Sequence, residues 1–490
     1  MRGRALASGP FFVREPAIMK RIRTIIARGL PWPERAGPWR AEGRATAALA
    51  WPLVLAFLSE TGIAMIDVMF IGRLGPGSLA AAALGTSAFI GMLLVTLGVV
   101  LATAPLAAQA MGARKPRQVR RVIRQGLWIG ILLSVPASLL LMRAEPIMLF
   151  LDQPAEASRE AQWYLNYLAW ALPGAVCFIV LRNFATVLDR PKLGLWVILA
   201  AIPLNAALDY GLIFGAFGLP RMEIAGAGLA SLISHVFMFG VMLWISLAVR
   251  PLNRYQILAR FWRPDWVVFG RIFRVGLPIS GILALEFSMF LGSVVMMGWI
   301  GSNALAAHQI ALMLASFTFK VPLGIAQAAT VRVGYAAGRR NVPGVARAGW
   351  TALVMGVVFM VAASIVMWTW PEAMVAIFLD TSDPANGSVV ALAASLILVA
   401  AVFQVGDGAQ TIGSGVLRGL SDTTVPLTFA VFGFWGLGLS AGYLLGFKAD
   451  LGAVGIWMGM AIGLITVAAF HAGRFRYLVG KGYLPDVVGD

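Results

Sequence analysis

Charge is what this 490-residue sequence has least of: Asp, Glu, Lys and Arg together make up 12% of it. Soluble domains carry roughly 25%, so a water-facing surface cannot be assembled from these residues. Cysteine is nearly absent as well. The single Cys177 excludes a disulfide framework within the chain and any Cys-based metal cluster, and its apolar surroundings mark it as a small packing residue. The three histidines, His235, His308 and His471, stand far apart and offer no metal-ligand spacing. His308, in the run AAHQIAL, reads as a satisfied interfacial histidine rather than a titrating switch. No Ser-His-Asp constellation and no phosphate-binding loop is present, so neither an enzyme nor an ATP-driven pump has support. The first 44 residues also lack the apolar core of a cleavable signal peptide.

Apolar sequence is present in abundance. Hydrophobic residues make up 59% of the chain, and mean hydropathy is +0.82. A membrane-spanning helix needs about 20 apolar residues, and apolar runs place spans near 45–71, 85–112, 121–142, 162–188, 193–215, 223–248, 270–299, 304–335, 347–370, 387–417, 425–447 and 452–472. The 54 glycines suit close helix approach in lipid. The fold class is therefore an all-α polytopic membrane protein of about twelve transmembrane helices.

Loop charge orients the bundle. Arg114 to Arg124 holds six basic residues and no acid; Arg143 to Glu160 holds two basic and four acidic residues. Arg250 to Arg274 holds six basic and one acidic, whereas Glu372 to Asp383 holds three acids and no base. The alternation places both termini and the basic loops in the cytoplasm of a multi-pass inner-membrane protein. The net charge of +17 then reflects topology, and nucleic acid is not an expected partner. Residues 1–44, with ten Arg or Lys against three acids, read as a basic cytoplasmic tail on anionic lipid; Met19 is an alternative start.

The halves repeat at an offset of 226 residues: Pro52 with Pro278, Glu60 with Glu286, Gly72 with Gly298, Gly75 with Gly301, Gly98 with Gly324, Gly112 with Gly338 and Gly226 with Gly452. Six spans per half is an even number, so two pseudo-symmetric six-helix lobes share one orientation about an axis along the membrane normal. The expected parts are a tail (1–44), an amino-terminal lobe (45–249), a basic cytoplasmic linker with the start of span 7 (250–274), a carboxy-terminal lobe (275–473) and a cytoplasmic tail (474–490).

An ionisable group at bilayer depth costs at least about 2.5–3.5 kcal/mol, so each needs a reason. Glu60, Asp67, Asp209, Glu286 and Asp407 stand out, and none has a Lys or Arg within its own apolar run. Such carboxylates suit binding of Na⁺, a proton or a cationic substrate. Glu60 and Asp67 are seven residues apart and share a helix face. Prolines at 52, 105, 136, 173, 203, 278 and 322 fall within spans and can bend them, freeing carbonyls.

With these residues in place, the sequence resembles the MATE (multidrug and toxic compound extrusion) family, in its bacterial NorM/DinF-like branch. The resemblance runs from about Ala45 to the last span. It rests on ETGIAMIDVMFIGRLG, PLAAQAMGAR, LRNFATVLDRPK, PLNAALDYGLIFG, GLPISGILALE, VPLGIAQAATVRVGYAAG and FQVGDGAQTIGSGVLRGLSDTTVP, in that order. It implies a V-shaped pair of six-helix lobes that exports organic cations and other toxic compounds in antiport with Na⁺ or H⁺ by alternating access. It implies an amino-lobe cation site on Asp67, Asn205, Asp209 and Ser231, the last where relatives often have Thr, and carboxy-lobe acids at Glu286 and Asp407. Phe403 stands where Na⁺-coupled relatives often carry Tyr. Glu60 stands where many have Gln, and is an accessory candidate. The expected protein is not an enzyme. It needs no cofactor beyond the coupling ion, and it works as a monomer in the bilayer on small organic cations. Rival readings are a lipid-linked oligosaccharide flippase, which would want basic residues in its cavity and finds few beyond Arg182 and a few Arg near span ends, and an exporter of an endogenous metabolite.

Overall fold

The computed structural model describes residues 37–381 and 383–487; the expectations for residues 1–36 lie outside the described residues. Helix accounts for 85% of the described residues, and no strand occurs among them. Among the described residues eleven helices are long and apolar enough to cross a membrane, and one bent pair makes a twelfth span. In chain order they are α1 Pro38–Gly72, α2 Pro76–Gly112, α3 Pro116–Leu141, α4 Ala155–Leu168 with Ala171–Val187, α5 Pro191–Phe214 and α6 Glu223–Ala248. Then follow α7 Trp266–Ile300, α8 Ser302–Gly338, α9 Val342–Thr369, α10 Gly387–Gly419, α11 Thr424–Lys448 and α12 Gly452–Gly480. This is the all-α, twelve-span class that the apolar runs imply.

The span limits differ from the apolar windows for local reasons. Pro76, Pro116 and Pro191 sit in the first helical turn, where a missing N–H is no loss, so these helices start in polar sequence that hydropathy discounts. Two boundaries of the expected tails are corrected: residues 38–44 belong to α1, and α12 runs to Gly480 rather than ending before 474. Pro173 removes the donor that would bond the Ala169 carbonyl. Next to that gap α4 bends by 47°, and the Ala169 oxygen accepts instead from the Leu172 N–H at 3.2 Å and from the Ser138 hydroxyl of α3 at 2.6 Å, as lipid-embedded backbone requires. Pro105 acts similarly in α2, which is interrupted at Ala102.

The repeat is visible in backbone geometry. Gly75 and Gly301 open α2 and α8 at φ 127° and 140°, a region open to glycine alone. Arg114 and Arg340 close the same helices, both at φ 57°. The apolar core divides with a twist. Most of α2–α6 packs in one cluster, joined by Val268, Ile272 and Ile279 from the start of α7. The start of α1, through Leu49, Ala50 and Leu53, packs instead with α8, α9, α10 and α12. Each repeat thus lends the first half of its leading helix to the other.

Contact between the halves is concentrated at the end that carries the basic loops, and it is reciprocal. A Cβ on Gly112 of α2 would lie 2.1 Å from the Tyr335 carbonyl oxygen of α8; one on Gly338 would lie 2.0 Å from that of Gln109. Residues 109 and 335 are themselves one repeat apart. Gly98 meets the Ser280 backbone of α7 at 2.4 Å in the same sense, and Gly324 meets Val54 of α1, the repeat mate of Ser280, at 2.5 Å. Side chains add to the seal. Gln109 Nε2 donates to the Gly419 carbonyl and the Ser421 hydroxyl, both at 2.9 Å. Gln327 of α8 donates to Asn183 of α4 at 2.8 Å, and Arg332 grips Glu42 through two bonds of 2.8 and 2.7 Å. Towards the opposite ends of α1, α2 and α7, Gly72, Gly91 and Gly298 meet nothing within 4 Å.

Glycines also fuse α11 to α12. A Cβ on Gly459 would stand 2.1 Å from the Gly442 nitrogen, and one on Gly463 2.5 Å from the Gly433 carbonyl; α11 takes two π-helical stretches along this contact. The spacing of four is that of small-residue membrane interfaces. Gly459→Leu is expected to lose about 1–3 kcal/mol by overpacking, visible as earlier thermal unfolding in detergent. An unchanged transition would show that the two helices part freely.

Candidate ion and substrate sites

Four of the seven residues singled out in the sequence meet in the amino-terminal half. Asp67 sits near the end of α1, Asn205 and Asp209 lie one turn apart on α5, and Ser231 sits in the third turn of α6. The Ser231 hydroxyl donates to Asp67 Oδ2 at 3.1 Å, and the Asp67 carboxyl faces Asp209 and Asn205. Asn205 and Asp209 are fully buried. Helix α5 carries them on one face because their spacing is four residues. The set holds more unpaired acceptors than donors: Asp67 Oδ1, Asn205 Oδ1 and both Asp209 oxygens are buried without a hydrogen-bond partner, against one such donor, Asn205 Nδ2. Each orphaned buried acceptor costs about 1–3 kcal/mol. A proton or a dehydrated monovalent cation has the chemistry to relieve them. Tyr164 of α4, buried beside Asp67, Asp209 and Ser231, joins the same site. No sequence pattern distinguished it from a core aromatic.

The remaining acids lie in the other half. Glu286 of α7 and Asp407 of α10 are bridged by one amide: Gln410 Nε2 donates to Glu286 Oε1 at 3.0 Å and to Asp407 Oδ1 at 3.3 Å. The Gln410 backbone carbonyl in turn lies 3.0 Å from His471 Nδ1 of α12. Phe403, one turn before Asp407, is buried edge-on against Trp457 at 5.1 Å, and its ring brings no oxygen to the pair. His308 accepts from Trp457 Nε1 at 3.0 Å.

Glu286 and Asp407 line a cavity of about 450 Å³ walled by α1, α2, α4, α7, α8 and α10. Phe57, Phe287, Phe290 and Phe319 supply much of its apolar wall. Asp67, Asn205, Asp209 and Ser231 are not among its lining residues, so the structure gathers the candidate acids into two separate sets.

Two sequence expectations are corrected here. Glu60 does have a fixed counter-ion, on another span: Arg182 Nη1 of α4 lies 2.6 Å from Glu60 Oε1, and the guanidinium stacks 5.0 Å from the Phe57 ring. Glu60 therefore belongs to neither uncompensated set. The cavity is also less poor in basic residues than expected, since Lys320 lines it beside Arg182 and the span-end Arg418. Both were legible in principle. Lys320 is a lone cation in the apolar run SFTFKVPLG, and Arg418 falls eleven residues, about three turns, after Asp407 on one helix face.

Comparison with known proteins agrees with this architecture. The MatE family model matches residues 52–211 and 278–444, one segment per repeat. A probable multidrug resistance protein NorM of Mesorhizobium japonicum is 46% identical over 439 residues, 89% of this chain and 94% of the relative. A probable multidrug resistance protein NorM of Brucella suis is 41% identical over 448 residues, 91% and 95% of the two chains. Among solved structures, an outward-facing multidrug resistance MATE transporter of the MOP superfamily superposes with a TM-score of 0.81 at 23% identity, covering 90% of this chain and 96% of that one. The eukaryotic MATE transporter AtDTX14 gives 0.80 at 21%, covering 91% and 98%. At these identities the structures speak for the fold.

Proposed function

Because the chain belongs to the MatE family of membrane transporters, we propose that it is a secondary multidrug exporter of the inner membrane that expels organic cations in exchange for Na⁺ or H⁺. The observation that carries this reading is the pair of separate carboxylate sets at bilayer depth, Asp67–Asp209 in one repeat and Glu286–Asp407 in the other. Neither set has a salt-bridge partner among the described residues. The NorM relatives carry the name of multidrug resistance proteins over nearly their whole length, which supports the substrate class. Each chain holds both sets and the cavity, so a monomer suffices, and no cofactor is required.

In this mechanism the basic-loop end faces the cytoplasm, and the seal at Gly112 and Gly338 keeps the cavity from opening there. The carrier then stands ready to release substrate outward. Na⁺ or H⁺ arriving at Glu286 and Asp407 neutralises the charge that held the cation, and the drug leaves. The same ion at Asp67 and Asp209 supplies the missing positive charge to the buried acceptors. Return to the inward-facing state follows, with ion loss and rebinding of drug. The ion drives the cycle only by its different affinity for the two states. A flippase for diphosphate-linked glycans has less support, since a diphosphate in this cavity would meet Glu286 and Asp407 as well as Lys320 and Arg418.

The competition step is directly measurable. The apparent Kd for ethidium, read by fluorescence anisotropy in detergent, is expected to weaken as the coupling ion is raised, by the roughly 5–150-fold typical of linked sites. The rival cation should have no such effect. Insensitivity of the Kd to both Na⁺ and pH would remove antiport by competition.

A further inference from the structure

The segment that joins the two repeats is stitched to α3 by contacts that use up none of its own cations. Arg124 Nη1 of α3 donates to the carbonyls of Ala259 at 3.4 Å and Arg260 at 3.0 Å. Trp128, one turn further along α3, donates to the Phe261 carbonyl at 2.8 Å and stacks on the Phe261 ring at 5.4 Å. Arg260 and Arg263 stay exposed. Arg120, in the second turn of α3, has its Nε buried without a hydrogen-bond partner. Arg120, Arg121 and Arg263 all lie within electrostatic reach of Arg124. The acid in their midst, Asp265, is already engaged: it caps α7 through the Val268 N–H at 3.3 Å and pairs with Arg121 at 3.5 Å. Arg120, Arg124, Arg260 and Arg263 are thus left without a carboxylate within 4 Å among the described residues.

Charge alone would suit water, but the same segment also exposes apolar surface. Trp262, Trp266 and Val267 are 76%, 71% and 73% exposed, interleaved with the cations at 260 and 263. Tryptophan beside arginine at a span end is the composition of the membrane–water boundary. There a ring rests against glycerol and acyl chain, and a guanidinium fork matches a phosphate. Guanidinium groups gathered this closely repel one another, and an anion seated among them relieves the repulsion. We propose that the start of α3 and residues 259–267 form a binding site for one anionic phospholipid of the cytoplasmic leaflet. Its phosphate is held by Arg120, Arg260 and Arg263, and its glycerol and upper acyl chains lie against Trp262, Trp266 and Val267. A free phosphate would answer the arginines and leave those apolar side chains in water. Basic pockets at the cytoplasmic ends of spans are where such headgroups bind. None of these residues lines the cavity that holds Glu286 and Asp407, so the site stands or falls independently of the exporter reading.

Dioleoylphosphatidylglycerol and dioleoylphosphatidylcholine test it as a matched pair, since they share their acyl chains and differ in headgroup charge. Lipid bound to the full chain in detergent is counted by native mass spectrometry across a titration. The wild type is expected to hold phosphatidylglycerol about tenfold or more tighter than phosphatidylcholine. Arg260→Gln combined with Arg263→Gln should weaken phosphatidylglycerol by about tenfold or more and leave phosphatidylcholine unchanged. Arg339→Gln combined with Arg340→Gln removes the same charge from the end of α8 and should keep the wild-type affinities. Trp262→Ser retains every charge and should still weaken phosphatidylglycerol severalfold. Arg120→Gln, on a different element and so a guard against misfolding of the linker variant, should shift the same ratio in the same direction. Glycerophosphoglycerol, the headgroup without its chains, should fail to displace the lipid at equal concentration. Equal losses in the two double variants would reduce the effect to general attraction by a basic surface, and the proposal is overturned. Displacement by the headgroup alone, or an unchanged Trp262→Ser, would make it a phosphate site and overturn it as well. Equal binding of both lipids by the wild type also overturns it.

Discussion

Asp407→Asn and Asp67→Asn should each abolish uphill export of ethidium while leaving the protein folded. The amide is isosteric with the carboxylate, so Ser231 can still bond position 67, and position 407 keeps an oxygen for the Gln410 amide. What disappears is the charge that tells ion from drug. At position 407 the substituted carrier keeps its cavity but can no longer exchange one cation for another. At position 67 the buried acceptor cluster loses its demand for a positive charge, because the new amide supplies a donor. In either case the steady-state ethidium gradient should collapse by about tenfold or more, the scale of a typical coupling energy. Glu60→Gln should behave differently. It breaks the pair with Arg182 and frees that cation in the cavity, so it should alter substrate affinity more than coupling. Normal accumulation by both Asp variants would separate the acids from transport.

The second large effect is expected at the seal. A side chain at Gly338 or Gly112 has nowhere to go, because the atoms it meets are carbonyl oxygens of the opposite half rather than yielding side chains. Gly338→Leu should therefore hold the halves apart at the basic-loop end, and Gly112→Leu should match it, since the two contacts are repeat mates. Export should fall by tenfold or more in both, in line with the loss of one closed state from the cycle. A cysteine placed at Gln109, whose amide is buried against Gly419 and Ser421, should become open to a water-soluble maleimide only in the Leu variants. The native Cys177 is buried and should stay silent. Unchanged export together with unchanged labelling would mean that these contacts are not part of the gate.

The sequence carried the fold because lipid demands it: twelve apolar runs and alternating loop charge are properties of residues one at a time. The offset of 226 was equally readable, and it anticipated pairs such as Gly112 and Gly338 without showing that they touch. Asp67, Asp209, Glu286 and Asp407 were legible as lone acids in apolar surroundings. Partnerships across helices were not. Arg182 meets Glu60 across 122 residues of chain, and no local pattern could distinguish that acid from the unpaired ones. Tyr164 looks like any core aromatic until α4 bends it against Asp67. The exchange of α1 and α7 between the two cores is likewise a matter of packing, since a helix shared between halves has the same hydropathy as one that is not.

The most direct test of the account is efflux of ethidium from proteoliposomes under a Na⁺ gradient and a pH gradient imposed separately. Ethidium is expected to move against its own gradient under one of the two, and this movement should be lost in Asp407→Asn. Equilibration without accumulation under both gradients would contradict ion-coupled export.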